Sequence, residues 1–301
     1  MSTSREVVVV GGPEVHPSND YYGQEMLLSW AASIHRPKRT FGYIQHGWKP
    51  EAAFPSGMRL IPGARLFVWS EENRRATAER FPRHRVEAIG APFLYLYEMM
   101  KPALGRAPTK DLLVYPCHQL RGSPLARQVH DALVEQVLEL EPTSITVNLH
   151  PYELEDGTTA GLYASQLPNP TLTTNWLLPP WVVSDDPTIL IRQILQILDH
   201  RRVVSNCLTT ALLYAAHLDR ESRLLHHPAR RQPPTEGRGR ALHEQLERAT
   251  DGSALAAIAG RELGASQMRT PEELREVLGW SSPLRSAVAT VVRAISRARG
   301  Q

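Results

Sequence analysis

Short apolar runs alternate along this chain with longer stretches whose apolar residues recur at helical spacing, and that alternation predicts a series of parallel βα units. Glu6 to Val10, followed by Gly11-Gly12-Pro13, reads as a buried parallel strand ending in a turn. A helical stretch around Gln24 to Ile34 comes next, then a strand from Thr40 to Gln45 that stops at His46-Gly47. Ala64 to Trp69 is another apolar run, and Ser70 behind it is placed to cap a polar, helix-forming segment. Arg85 to Ile89 gives a further strand, closed by Gly90-Ala91-Pro92. Met99 to Lys110 contains proline, is weakly patterned, and reads as a linker.

A second series starts at Asp111 to Tyr115 and continues with a helix around Pro124 to Leu140 and a strand from Ser144 to Leu149. A helix from Asp186 to Leu198, a strand from Arg202 to Val204 and a helix from Thr209 to Leu218 follow. His226 to Arg240 is rich in proline, glycine and arginine and reads as an exposed connection. Beyond it Ala241 to Leu263 and Pro271 to Leu278 are helical, with Thr270 placed to cap and Pro271 at the first helical position. The expected fold is therefore α/β. Two Rossmann-like, doubly wound parallel-sheet domains, residues 1–104 and 105–225, face a cleft, and residues 226–301 supply a connection and a C-terminal helical segment.

Composition narrows the classes. A chain of 301 residues with 42% hydrophobic content can bury one large core or two ordinary ones. The formal charge of +3 owes much to arginines late in the chain, among them Arg220, Arg223, Arg230, Arg231, Arg238 and Arg240. That is too mild for a dedicated nucleic-acid binder, and no aromatic residues are interleaved with it, so no nucleic-acid partner is expected. A weak peripheral contact with anionic membrane stays open. Met1 to Glu6 is polar and leads straight into the valines, without the pattern of a signal peptide, and no apolar run approaches the ~20 residues of a membrane span. The expected location is cytoplasmic. Cys117 and Cys207 form no CxxC pair and are expected to be ordinary buried thiols.

The candidate chemistry lies where strands stop, because ligands of open α/β sheets bind beyond the carboxyl ends of the strands. In Tyr43-Ile44-Gln45-His46-Gly47 the glycine allows a tight turn, and His46 suits either a general base or a structural histidine. In Val147-Asn148-Leu149-His150-Pro151 the imidazole can donate to a phosphate while proline stops the strand. Glu153, Glu155 and Asp156 follow, either as catalytic carboxylates or, more simply, as a solvated acidic turn. Ser205, Thr209 and Thr210 stand between a strand and a helix start, where their hydroxyls can join free backbone N–H groups in holding a phosphate. The bland account makes Thr209 a plain N-cap. His118 follows a third strand end and either lines a nucleotide cleft or sits in an exposed loop. Asp186 is accounted for as a helix cap, and Trp48, Trp69, Trp176 and Trp181 as core residues ahead of any role in ring stacking.

No phosphate loop, G-x-G-x-x-G turn, G-x-S-x-G elbow or H-E-x-x-H motif is present, which weakens kinase, dehydrogenase, hydrolase and zinc-protease readings. No D-x-D carboxylate pair is present either, so a bound nucleotide would be held by side chains and a helix dipole, with no metal ion and no resident cofactor.

The order of these motifs resembles bacterial GT-B glycosyltransferases of surface-polysaccharide assembly. It is similar in particular to sialyltransferase and polysialyltransferase families, with their His-Pro and Ser/Thr motifs, and to CDP-glycerol glycerophosphotransferases, with their His-Gly and His-Pro motifs. The resemblance covers residues 1–225 and lies in pattern more than identity. It implies a GT-B-like, metal-independent enzyme that moves a sugar or related group from a nucleotide-activated donor, CMP- or CDP-linked, to a hydroxyl acceptor such as a glycan. His46 would be the acceptor-side base, while His118, His150, Ser205, Thr209 and Thr210 would contact the donor. In the sialyltransferase families an acidic [DE]-[DE]-Gly motif precedes the His-Pro motif, whereas here Glu155-Asp156-Gly157 comes after it, which leaves the base and the donor open. A nucleotide-sugar epimerase of the same architecture and a non-catalytic GT-B-like binding subunit are the alternatives.

Overall fold

Ile44 and Phe67 point to one side of their strands and Tyr43, Leu66 and Val68 to the other, and all five are buried, so both faces of this sheet must be covered. A computed structural model describes residues 19, 21–55, 58, 60–105, 107–117, 126–175, 187–225, 238–248, 252–282 and 288. In it β1 (Gly42–Ile44), β2 (Arg65–Val68) and β3 (Val86–Ala88) form a parallel sheet in that order, with Tyr43 opposite Leu66 and Phe67 opposite Glu87. Leu28 of α1 (Gln24–Ala31) packs with Ile44 and Phe67 on one face. On the other, Tyr43, Leu66 and Val68 meet Phe54 and residues of α2 (Glu71–Arg80), whose first turn is capped by the Ser70 hydroxyl accepting the Asn73 N–H at 3.2 Å. The polypeptide then enters α3 (Pro92–Met100), a helix that the aromatic run Phe93-Leu94-Tyr95 conceals at the level of sequence and that Pro92 starts at its first position.

The second sheet contains β4 (Lys110–Tyr115), β5 (Ile145–Asn148), β6 (Thr171–Thr173), β7 (His200–Ser205) and β8 (Glu221–Leu224), all parallel, in the order β6-β5-β4-β7-β8. The chain winds outward from β4 to β6, then returns to the far side of β4 to lay down β7 and β8. Strand order reverses between β4 and β7, which makes their carboxyl ends the switch point beyond which ligands of open α/β sheets bind. Between the strands run α4 (Ala126–Glu139), α5 (Pro151–Glu155), α6 (Thr158–Gln166), α7 (Thr188–Asp199) and α8 (Thr210–His217). Leu133 and Val137 of α4, with Leu162 and Tyr163 of α6, cover the face formed by Leu112, Val114 and Val147. Leu190, Ile194 and Ile197 of α7, with Leu213 and Tyr214 of α8, cover Leu113 and Val203 on the other. Asp111 clamps the amino-terminal edge by accepting from Arg202 at 2.7 and 2.9 Å, from Arg201 and from the Thr143 N–H.

Among the described residues three C-terminal helices tie the two sheets together: α9 (Arg238–Arg248), α10 (Gly252–Leu263) and α11 (Pro271–Val277). Leu255, Ile258 and Ala259 of α10 share a core with α8 and α3, whereas Leu274 of α11, with Leu278 and Trp280, fills the core beside Leu28 and Ile44. Gly264 makes the crossing between them at φ 73°, so close to β2 that an added Cβ would stand 1.9 Å from the Trp69 carbonyl oxygen.

Several elements differ from the sequence expectations. The helix expected over Ala241 to Leu263 is two helices, and the first begins at Arg238, inside what read as an exposed connection. Edge strands β6 and β8, Thr-Leu-Thr and Glu-Ser-Arg-Leu, carry no apolar run to read because water takes one side of them. Helix α6 buries only Leu162 and Tyr163 and shows little periodicity. The expected strand at Glu6 to Val10, together with His118, Trp176, Trp181 and Asp186, lies outside the described residues. Trp48, Trp69, Cys117 and Cys207 are buried, as expected. Among the described residues no helix is long and apolar enough to cross a membrane.

Candidate functional site

Where β1 stops, the next side chain fixes the turn. Gln45 is fully buried; its Oε1 accepts the Trp69 N–H at 2.9 Å and its Nε2 donates to the Gly47 carbonyl at 3.0 Å and to Asn73 Oδ1 at 3.3 Å. Gly47 takes φ 70°, which a side chain would strain, and the turn brings its backbone against α8: an added Cβ would lie 3.6 Å from Thr210 Oγ1. The His46 ring stacks on Tyr22 with centroids 4.9 Å apart. Next along the chain, the Trp48 N–H donates to Thr210 Oγ1 at 3.0 Å, and its indole Nε1 donates to Glu262 Oε2 at 3.0 Å. Arg238 pairs with the same carboxylate and also donates to the Pro50 carbonyl at 2.5 Å. The loop after His46 is thus held by α8 on one side and by the start of α9 and the end of α10 on the other.

Across from it stands the turn after β7. Ser205 is fully buried and engaged with its own turn, donating to the Cys207 carbonyl at 2.8 Å and accepting the Cys207 N–H at 3.3 Å. Thr209 is the N-cap of α8, its hydroxyl accepting the Leu212 N–H at 3.2 Å. Thr209 and Thr210 are half-buried and each accepts one N–H, which leaves each hydroxyl its own proton to donate. Asn206 joins the ends of β7 and β4, its Oδ1 accepting the Cys117 N–H at 2.9 Å, and its Nδ2 is buried with no hydrogen-bond partner.

At the end of β5, half-buried His150 opens α5 as N-cap of a reciprocal capping box: its Nδ1 accepts the Tyr152 N–H at 3.4 Å, and Glu153 Oε2 accepts the His150 N–H at 2.9 Å. An acceptor at Nδ1 puts the proton of a neutral imidazole on Nε2, as a donor. The solvated acidic turn expected here is only half right. Glu155 and Asp156 are exposed, but Glu153 is buried at 8% exposure, on a helix that packs against α6. Burial pushes its carboxyl up to about 7, against the His150 N–H that favours the ionised form, with the charges of Asp156 and Cys117 adding to the rise.

The structure therefore brings His46's turn, Thr209, Thr210 and Ser205 together at one meeting of loops. His150 is two strands from the Ser205 turn, roughly 10 Å across the sheet at about 4.8 Å per strand. Sequence reasoning missed Asn206, Glu262, Arg238 and the burial of Glu153. Only Glu153 carried a local signal, a carboxylate three residues after a candidate cap. Among the described residues no group of three or more His, Cys, Asp and Glu side chains is arranged to hold a metal ion.

No family model matches the chain, and no curated protein matches it. Among solved structures, one that is similar in shape is the UDP-GlcNAc 2-epimerase from Neisseria meningitidis bound to UDP-GlcNAc, at 12% sequence identity and a TM-score of 0.39. The match covers 76% of this chain and 61% of the epimerase chain.

Proposed function

We propose that the chain transfers a glycosyl or related group from a nucleotide-activated donor to a hydroxyl acceptor, residues 1–104 serving the acceptor, residues 105–225 the donor and residues 226–301 joining the two. The observation that carries this reading is the hydrogen bond from the Trp48 N–H to Thr210 Oγ1, which sets the histidine turn of one parallel sheet against the helix start at the switch point of the other. Donor phosphate is met by His150 Nε2–H and by the hydroxyl protons of Thr209 and Thr210, with the positive end of α8 behind them. Ser205 acts by holding that turn in shape, and His118, next in sequence to Cys117, is assigned to the donor side. The His46 imidazole, propped by Tyr22, takes the acceptor hydroxyl proton as the acceptor oxygen bonds to the transferred carbon. The bond from that carbon to the donor phosphate oxygen breaks, and the charge gathering on the phosphate is stabilised by the donors already aimed at it. Loops from both sheets keep water from the activated carbon.

A thermal-shift panel of CMP, CDP, UDP, GDP and TDP tests the binding step, since a ligand at a hundred times its Kd raises stability by about 2.7 kcal/mol. His150→Ala is expected to weaken the best nucleotide about tenfold, the loss of one charge-assisted hydrogen bond. His46→Ala is expected to leave nucleotide binding intact and to lower transfer about 10²- to 10⁴-fold. Nucleotide release that depends on added acceptor supports transfer. A product isomeric with the donor replaces it with epimerisation, function that survives both substitutions replaces it with a binding subunit, and no shift with any nucleotide refutes it.

A further inference from the structure

Four buried carboxylates stand out among the described residues, and three of them meet an arginine: Glu25 pairs with Arg39, Asp111 with Arg202 and Glu262 with Arg238. Glu153, the fourth, meets none. Among the described residues the charges that act on it are those of Asp156 at the end of its own helix and Cys117 at the end of β4, and Glu153 in turn acts on Tyr163 of α6; none of these is a cation. Behind Tyr163, the His130 ring of α4 shares a 2.7 Å hydrogen bond with its hydroxyl, and Asp131 adds another negative charge nearby. Among the described residues the Glu153 carboxyl accepts a hydrogen bond from the His150 N–H at 2.9 Å, in the capping box that also fixes the His150 ring. A carboxyl buried without a counter-cation among the described residues, and hydrogen-bonded to the backbone of the residue whose imidazole is assigned to phosphate, is badly placed to keep its charge once an anion arrives.

We infer that Glu153 takes up a proton when an anionic phosphate binds at His150, so that this site binds the anion together with a proton from solvent. This rests on the reading that His150 meets the donor phosphate. The balance is simple: Glu153 carboxylate and one solvent proton become the neutral acid, and no other bond changes. The anion lies on the imidazole side of the capping box, and like charges held in a water-poor site disfavour joint ionisation. The competing effect is weaker, because a neutral carboxyl keeps a carbonyl oxygen able to accept the His150 N–H. The capping box therefore survives protonation and the repulsion does not. The free carboxyl already titrates near 7, so the uptake happens in the neutral range, and anion affinity falls as pH rises through it.

Inorganic sulfate is the probe, since its charge is constant across the neutral range, and the readout is the carboxyl carbon resonance of Glu153 in protein labelled at glutamate, assigned by its loss in Glu153→Gln. Without sulfate the midpoint is expected at about 7, and with saturating sulfate about one unit higher. A one-unit rise predicts that the sulfate Kd weakens nearly tenfold from about pH 6 to pH 9 on account of this group, and that this component vanishes in Glu153→Gln, which keeps an acceptor for the His150 N–H. A purely structural Glu153 would leave the pH profile of the variant unchanged. His150→Gln separates the two claims. If sulfate binds to the wild type and not to His150→Gln, yet the Glu153 midpoint does not move, the proton uptake is overturned while the phosphate site stands. If sulfate binds equally to both proteins or to neither, the assignment of His150 falls and takes the inference with it.

Discussion

Glu262→Leu tests whether the C-terminal helices hold the candidate site in place. The carboxylate is fully buried and serves the Trp48 indole N–H at 3.0 Å and the Arg238 guanidinium at once. Leucine removes both carboxylate oxygens, and Glu262→Gln, which keeps the shape, separates the polar loss from any repacking. Trp48 is 8% exposed, and its indole N–H would be left buried without an acceptor at a cost of about 1–3 kcal/mol. Arg238 has 28% of its side chain exposed and keeps the Pro50 carbonyl, so its charge re-solvates and adds no more than about 1 kcal/mol. The expected loss is therefore about 1–4 kcal/mol, with Glu262→Gln milder because an amide oxygen can still accept from Trp48. Urea unfolding followed by tryptophan fluorescence and by far-UV circular dichroism reads it, as a lower midpoint at unchanged m-value. In a cycle with Arg238→Met the two sites should couple by about 0.5–3 kcal/mol, as groups in one network do. A Glu262→Leu protein within about 0.5 kcal/mol of wild type, or a fully additive cycle, would show that the loop after His46 is held by something else.

Two further outcomes follow from the same structure. Asp111→Ala should cost about 3–5 kcal/mol in urea unfolding, because it strands Arg202, whose side chain is 12% exposed, at the edge of the second sheet. Burial works to raise the Asp111 carboxyl, but the Arg202 hydrogen bonds, the Thr143 N–H and Arg201 outweigh it and hold the group well below the usual carboxylate range. The sign is then that of a depressed acid: its stabilisation is fully present above the unfolded value near pH ~3.9 and is lost as pH falls toward the folded one, so acid unfolding of Asp111→Asn should lack that component. Gly264→Ala should yield little or no folded protein in a solubility and circular-dichroism assay. The residue sits at φ 73°, which costs alanine about 1–2 kcal/mol, and its Cβ meets the Trp69 carbonyl at 1.9 Å, backbone against backbone with nothing flexible to give way. A normally folded Gly264→Ala protein would refute that packing of α10 against β2.

The sequence by itself determined the class of fold and much of its punctuation. Runs such as Leu112-Leu113-Val114 and Leu66-Phe67-Val68 are apolar on both sides, which only a strand covered on two faces can satisfy, and Ser70, Thr209 and Thr270 mark helix starts because their hydroxyls accept the N–H three residues on. Those are interactions within a few residues, and composition encodes them. Edge strands β6 and β8 escaped because strand propensity without burial leaves no apolar signature. Tertiary structure decided which ends meet. Trp48 bonds to Thr210 across 162 residues and to Glu262 across 214, and neither partner is marked by its neighbours in the chain. It also decided the ionic character of Glu153, which local sequence presents as one more residue of an acidic turn. The capping position of Glu153 is legible from its spacing to His150, but whether its carboxyl is solvated or buried depends on the elements the tertiary fold brings around it.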